Sequence, residues 1–465
     1  MSAVTTGSEA PKSESPKTET TSTKASKARA ATERVDLEGG TIVLLEQSHA
    51  LPIVNIIVAL RSGAAHDPLG KEGVTRITAR MLRRGSKGIA AREVEDAIDR
   101  LGSELSVDVT VSTTAVYGQV IKRSLTPFVE LMARVLCTPE FPEDELLRLK
   151  RETVAEIVEA RDNDRAVAQR AFRRAMFGSH LYGRSSGGTT KSIESITQND
   201  AKAIFAKHFR KGNIVVAFSG DITKDEAVLA AKQLVAGLPD GGPLPDPVTP
   251  PSMVPGRRLV FVDKPERTQT QILIGTLGTS PHDDDHHPLT IANAVFGGTF
   301  TSRLMREVRS KRGWSYGASA RMGIDRQRHT FTMWTFPAAT DCPPCIELEL
   351  DLLESFVKKG ITPKELAFIK RYLTRSYAFE VDTAAKRLHQ ALDIELLGLP
   401  ADYYSGYLGH VAAVTEASAN AAVLKRISTD DLLIVVVGTA SELLDGVKSK
   451  IPNLASDEVV PFDRE

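Results

Sequence analysis

Two rhythms of hydrophobic and polar positions run along the chain, and they occur twice in the same order. A nearly unbroken apolar run, Val54–Leu60, is followed by a polar loop containing His66-Asp67-Pro68 and then by a helix-period segment led by Gly73. A long helical middle follows, and the half closes on the apolar run Asn213–Gly220. The second half opens with Thr270–Leu277, passes a polar loop at Ser280–Pro288, and starts a helix near Leu289. Gly297-Gly298, a second helical stretch and the closing run Leu432–Gly438 complete it. Unbroken apolar runs of this length read as buried strands, and the 3.6-residue rhythm reads as amphipathic helices. The repeat has a period of roughly 220 residues, far longer than a solenoid unit, which indicates internal duplication.

Within each half, strands flank a helical block, and some strands are joined as hairpins. Glu104–Val111 and Thr114–Ile121 face each other across Ser112-Thr113. Helices are predicted over Ala91–Leu101, Leu125–Leu136, Glu143–Ala160, Ala166–Met176, Pro363–Ala378 and Ala384–Leu397. Pro142 and the acidic Glu143-Asp144-Glu145 suit the start of the third of these. The pattern predicts an α+β fold of two tandem homologous domains, each a mostly antiparallel sheet with helices packed on one face. Residues 1–33, rich in Ser, Thr, Lys, Ala and Glu, are expected to be a disordered tail. The N-terminal domain is expected over 34–240, a Gly/Pro-rich linker over 241–256, and the C-terminal domain over 257–465.

Composition narrows the function classes. The 465 residues exceed one compact core, and 42% hydrophobic with 25% charged residues is a globular balance. Lys+Arg and Asp+Glu each total 59, so no general attraction to nucleic acid or to an anionic membrane is expected. The one dense basic patch is Arg76, Arg80, Arg83, Arg84 and Lys87. No apolar run reaches membrane-spanning length, and the N-terminus shows no secretory signal, so a cytoplasmic location is expected, with the periplasm left open if the start codon is misassigned. Three cysteines make no disulfide framework. Cys342-Pro343-Pro344-Cys345 reads as a proline-stiffened loop, and His282–His287 as a surface loop whose Asp and His residues have no fixed ligand spacing.

Residues 73–86, Gly-Val-Thr-Arg-Ile-Thr-Ala-Arg-Met-Leu-Arg-Arg-Gly-Ser, resemble the zinc motif of the pitrilysin/insulinase metallopeptidases, the inverzincins. The glycines and the Met-Leu pair match. Arg76 and Arg80 stand where the family has its two His ligands, and Ala79 stands at the general base. The resemblance places the family's third ligand at Glu156, followed by Asp162 and Asn163. Arginine is protonated and offers no lone pair to a metal, so these positions form a degenerate zinc site, in which Arg76 and Arg80 would bracket Glu156 and take over the charge role of the ion. His180-Leu181-Tyr182-Gly183-Arg184 resembles a structural segment of the same family.

The second half carries Gly297-Gly298-Thr299-Phe300-Thr301-Ser302-Arg303-Leu304 and then Arg309 and Tyr316, similar to the family's Gly-Gly, Ser-Arg-Leu and Arg/Tyr pattern. By that resemblance Arg309 and Tyr316 hydrogen-bond the carbonyl of a substrate peptide. The likeness spans about residues 35 to 455. It implies a processing-peptidase-like fold and a non-catalytic, substrate-binding subunit of a heterodimeric zinc endopeptidase, similar to mitochondrial processing peptidase alpha-type subunits. No cofactor is then expected in this chain. Zinc is expected in a homologous zinc-motif partner, and the substrates are unfolded peptides. The alternative is a purely structural subunit, like the core proteins of the cytochrome-bc complex, which share the fold.

Overall fold

Long β-branched runs without polar interruption belong in strands buried on both faces. The computed structural model, which describes residues 32–465, shows how this chain covers both faces. Its first half contains β1 (Glu33–Asp36), β2 (Ile42–Gln47), β3 (Ile53–Leu60), the short hairpin β4 (Gly85–Ser86) and β5 (Ile89–Ala90), β6 (Glu104–Val109), β7 (Thr114–Ile121) and β8 (Ile214–Gly220). The second half contains β9 (Arg257–Asp263), β10 (Gln271–Leu277), β11 (Ala318–Met322), β12 (Thr330–Thr335), β13 (Leu433–Gly438) and β14 (Leu454–Pro461).

Each half forms a six-stranded sheet, in the orders β1-β2-β8-β3-β7-β6 and β14-β9-β13-β10-β12-β11. Five strands correspond one to one, with β2 parallel to β8 and β9 parallel to β13 and the rest of each core antiparallel. The sixth strand differs. β1 precedes β2 and pairs antiparallel to it through the Gly39-Gly40 turn, whereas β14 arrives from the far end of the chain and pairs parallel to β9. The expected α+β architecture with two antiparallel-rich sheets is therefore present. β9, β11, β14 and the short β4–β5 hairpin are additions to the sequence reading. Up to residue 31, the tail expected over 1–33 lies outside the described residues, and Glu33 already begins β1. The helix Glu143–Glu159 starts beside Pro142, as read.

One face of each sheet packs on helices of its own half. Val54, Ile56, Val58 and Leu60 meet Val94, Phe128, Val129 and Leu234, while Ile272, Ile274, Ile434 and Val436 meet Ile346, Leu350, Phe356 and Val423. The other face is covered by a helix from the opposite half. Leu388, Leu392 and Leu396 of helix Ala384–Leu397 line up at i, i+4, i+8 and lie on Ile42, Leu44, Ile57, Ala59, Val215 and Ala217 of the first sheet. Reciprocally, Val167, Ala168, Phe172 and Met176 of helix Asp164–Phe177 lie on Val260, Val262, Leu273, Val435 and Val437 of the second. Each buried Leu contributes roughly 1.5–3 kcal/mol. Ion pairs close the rims: Arg61 with Glu395 at 3.0 Å and Arg387 with Glu46 at 2.9 Å. Lys264, after β9, sends its ammonium to Asp164 at 2.6 Å and to the Arg161 carbonyl at 2.7 Å. One-face packing describes only the helices each half keeps for itself.

Cys342-Pro343-Pro344-Cys345 is not the expected loop. It forms the first turn of helix Cys342–Lys359, where proline's missing N–H costs nothing, and both thiols are buried. His286 begins a helix rather than ending a surface loop. Its ring nitrogens face Thr279 Oγ1 at 2.8 Å and the Tyr403 hydroxyl at 2.9 Å. No helix among the described residues is long and apolar enough to cross a membrane.

Candidate functional site

The motif helix Val74–Met81 is held at its start by Asp67, whose carboxylate accepts from Gly73 N at 2.7 Å, Thr75 N at 3.1 Å and Thr75 Oγ1 at 2.5 Å. Burial pushes the Asp67 carboxyl up to about 6, against the pull of these donors. Gly73 sits at φ 91°, and a Cβ there would stand 2.9 Å from the Gly187 carbonyl oxygen, so only glycine fits. Met81 and Leu82 are buried. The residues that frame the motif thus have packing reasons to persist whether or not a metal binds.

The helix presents Arg76 and Arg80 toward Glu156 on helix Glu143–Glu159. Arg80 makes the two-pronged pair, Nη1 to Oε2 at 2.9 Å and Nη2 to Oε1 at 2.7 Å, and its Nη1 also reaches Thr153 Oγ1 at 3.0 Å. Arg76 approaches the same carboxylate only to 3.8 Å, without a hydrogen bond. The bracket is therefore lopsided. Ala79 is fully buried against Ala64 and Val109, so the base position has become core. These residues do not fit a zinc ion. Neither arginine has a lone pair to give, and both Glu156 oxygens are taken by one guanidinium. Among the described residues no group of three or more His, Cys, Asp or Glu is placed to hold a metal.

The basic patch is largely neutralised. Arg83 pairs with Glu95, and Arg84 with Glu145 and Glu152 at 3.2 and 2.6 Å. Together with Arg92 and Arg148 these residues line a cleft of about 840 Å³, whose far wall is Ser106, Val107, Asp108 and Val109 of β6. That strand is one edge of the first sheet, opposite β1.

The second site lies at the matching edge. Arg309 sits in the irregular helical stretch Arg306–Lys311, and Tyr316 in the turn that leads into β11, the free edge of the second sheet. The structure brings the two together: the Arg309 guanidinium carbon lies 4.3 Å from the Tyr316 ring centre and 5.0 Å from that of Phe300. Both rings are open to solvent, at 77% for Tyr316 and 68% for Phe300. Stacking covers the faces of the guanidinium and leaves its N–H edge free to donate. Among the described residues Arg309 has no carboxylate partner. Buried groups fix the frame: Ser315 Oγ donates to Gly317 O at 2.6 Å and accepts from Phe336 N at 3.1 Å. Arg303 grips Glu365 at 2.8 and 2.6 Å and holds its carboxyl down at about 2. Gly297 packs so closely on β11 that a Cβ would lie 2.5 Å from Ala320 Cβ.

The sequence reading did not single out Phe300, Asp67, Arg92 or Arg148. Phe300 is the one whose signal was present, as an aromatic residue inside a polar Gly-Thr-Thr-Ser loop.

Comparison with known proteins fits this arrangement. Residues 42–190 match the family model described as Insulinase (Peptidase family M16), and residues 195–373 the one described as Peptidase M16 inactive domain. A Helicobacter pylori protein named Non-peptidase homolog YmxG is 22% identical over 85% of this chain and 91% of its own length. The crystal structure of a peptidase M16 inactive domain from Pseudomonas fluorescens is 26% identical with a TM-score of 0.81, over 88% of this chain and 98% of that one. A chain of Complex III2 from Candida albicans shares the fold at 15% identity and a TM-score of 0.73, over 90% of this chain and 99% of that one. With its duplicated sheets and its two motifs at equivalent sheet edges, the chain belongs to the M16, or insulinase, family of peptidases.

Proposed function

We propose that this protein is the non-catalytic, substrate-binding subunit of a two-chain zinc endopeptidase acting on unfolded peptides. The observation that carries the reading is the contrast between the two sheet edges. At the first, the metal position is filled by the Arg80–Glu156 pair and the base position by a buried alanine. At the second, a guanidinium and a phenol stand together, exposed and held by a rigid frame.

A peptide laid along β11 would present backbone carbonyls to Arg309 and Tyr316, bound mainly through its main chain. Both are hydrogen-bond donors suited to charge growing on a carbonyl oxygen, and their effect grows as the partner chain excludes water. The metal and the base would come from a homologous zinc-motif subunit.

The test is peptide turnover by that partner mixed with this chain, either native or carrying Arg309→Ala or Tyr316→Phe. Loss of one positioned donor is expected to lower turnover by roughly 10²-fold for Arg309→Ala and less for Tyr316→Phe, with assembly intact. Unchanged turnover would rule out the carbonyl clamp and leave a structural subunit as the reading.

A further inference from the structure

The cleft around the degenerate metal position is more than a filled-in remnant. Its lining holds six arginines, Arg76, Arg80, Arg83, Arg84, Arg92 and Arg148, against four carboxylates, Glu95, Asp108, Glu145 and Glu156. Arg80, Arg83, Arg84 and Arg148 are matched by hydrogen bonds to Glu156, Glu95, Glu145 and Glu152. Arg76 and Arg92 are not: the nearest carboxylate oxygens stand at 3.8 and 4.0 Å, and neither forms a hydrogen bond to one. Arg76 is half-exposed into the cleft, and Gly187 makes space for it, since a Cβ there would lie 3.4 Å from Nη1. Its donors are therefore free for one more carboxylate. Opposite runs β6, whose outer edge pairs with no other strand among the described residues. Such an edge accepts an extended peptide through the backbone.

We infer that this cleft recognises acidic, extended peptide segments, with Arg76 receiving a carboxylate side chain where the family places a metal ligand. The inference deepens the proposed function and rests on its peptide-binding part alone. The second half carries the same bias. Arg371 and Arg375 have no ionic partner among the described residues and alternate with the exposed Phe368, Tyr372 and Phe379 along one helix face. Phe368 joins that face to Thr299, Thr301 and Arg306 beside the Arg309 loop.

The experiment measures binding of short, end-blocked fluorescent peptides to the full chain by anisotropy. The peptides share one frame and differ only in guest residues, Glu, Gln or Lys. A charge-assisted hydrogen bond at Arg76 is expected to make the Glu peptide bind about tenfold more tightly than the Gln peptide, with the Lys peptide weakest. Added salt should erode the preference. In Arg76→Gln the Glu-over-Gln preference should fall to about twofold or less, and in Arg76→Glu it should turn toward Lys. Among the described residues Arg76 makes no hydrogen bond, so both variants should fold as the native chain does. Equal binding of Glu and Gln peptides, or a preference that survives Arg76→Gln, overturns the inference while leaving peptide binding intact. Competition by inorganic phosphate as strong as that by the Glu peptide marks a general anion site and also overturns it. Binding of none of the peptides defeats the peptide-binding reading itself.

Discussion

The two halves share five corresponding strands yet treat their sheet edges in opposite ways. At β6 most of the charged residues satisfy one another: Arg80 closes on Glu156, Arg83 on Glu95, and Arg84 on Glu145 and Glu152, with Arg76 left over. At β11, Arg309 meets Tyr316 and Phe300 only through their ring faces, and among the described residues the guanidinium and the phenol hydroxyl have their hydrogen bonds unspent. Pairs between flexible, partly exposed side chains contribute little to stability, so these pairs need no other purpose to be tolerated. Exposed aromatic residues around an unpaired guanidinium gain little from folding, and such a group is better explained by something that binds there. The duplicated scaffold thus carries one edge whose charges are largely matched and one whose donors are left open.

That comparison breaks most severely if the halves lose register. Lys264 is buried and holds Asp164 and two carbonyls of the opposite half. Lys264→Ala leaves Asp164 with only the more distant Arg267, at 3.8 Å, and should cost about 3 kcal/mol, read as a large drop in the denaturant midpoint. Arg76→His combined with Arg80→His should place two imidazoles one helical turn apart facing Glu156. The double variant should bind one zinc ion per chain by elemental analysis, where the native chain is expected to take none. Failure to take up zinc would mean that Glu156 no longer points where a third ligand must.

The halves also differ in pH response. Burial pushes Glu349, in the second half, up to about 8 from its ordinary 4.5, and holds His208, in the first, down to about 3 from 6.5. A raised carboxyl favours the protonated folded state, so its contribution is full below about pH 4.5 and is lost as pH rises through 8. A depressed imidazole contributes fully above 6.5 and loses that contribution as pH falls through 3. Glu349→Gln should therefore flatten the alkaline side of a melting-temperature profile, and His208→Gln the acid side. The smallest effect is expected for Glu156→Gln. It weakens a half-exposed pair and should cost about 1 kcal/mol or less, with turnover by the assembled enzyme within about twofold of native. A large loss of turnover there would mean that the first edge is catalytic after all.

Much of this was legible in the sequence because it is local. Arg76, Ala79 and Arg80 fall on one helix face by spacing alone, and the unbroken apolar runs read as buried strands, although helices were expected on one face of each sheet only. Arg309 and Tyr316 were legible through a long motif, and the structure adds that they touch. The exchange of helices was not legible. The leucine stripe of Leu388, Leu392 and Leu396 says that a helix buries one face but not which sheet receives it. β14 escaped notice because its residues are mostly polar and exposed, as an outer strand's can be. The helix start at Cys342 was hidden by Pro343-Pro344, which reads as a breaker unless it sits in the first turn. The neutralisation of the arginine patch depends on Glu95, Glu145 and Glu152, which come from two other helices.

The most direct test of the central claim is zinc content and peptidase activity of the purified chain, alone and mixed with a homologous zinc-motif chain. The account predicts no zinc and no activity alone, with activity on mixing well above that of the partner by itself. Stoichiometric zinc and peptide cleavage by the isolated chain would contradict it.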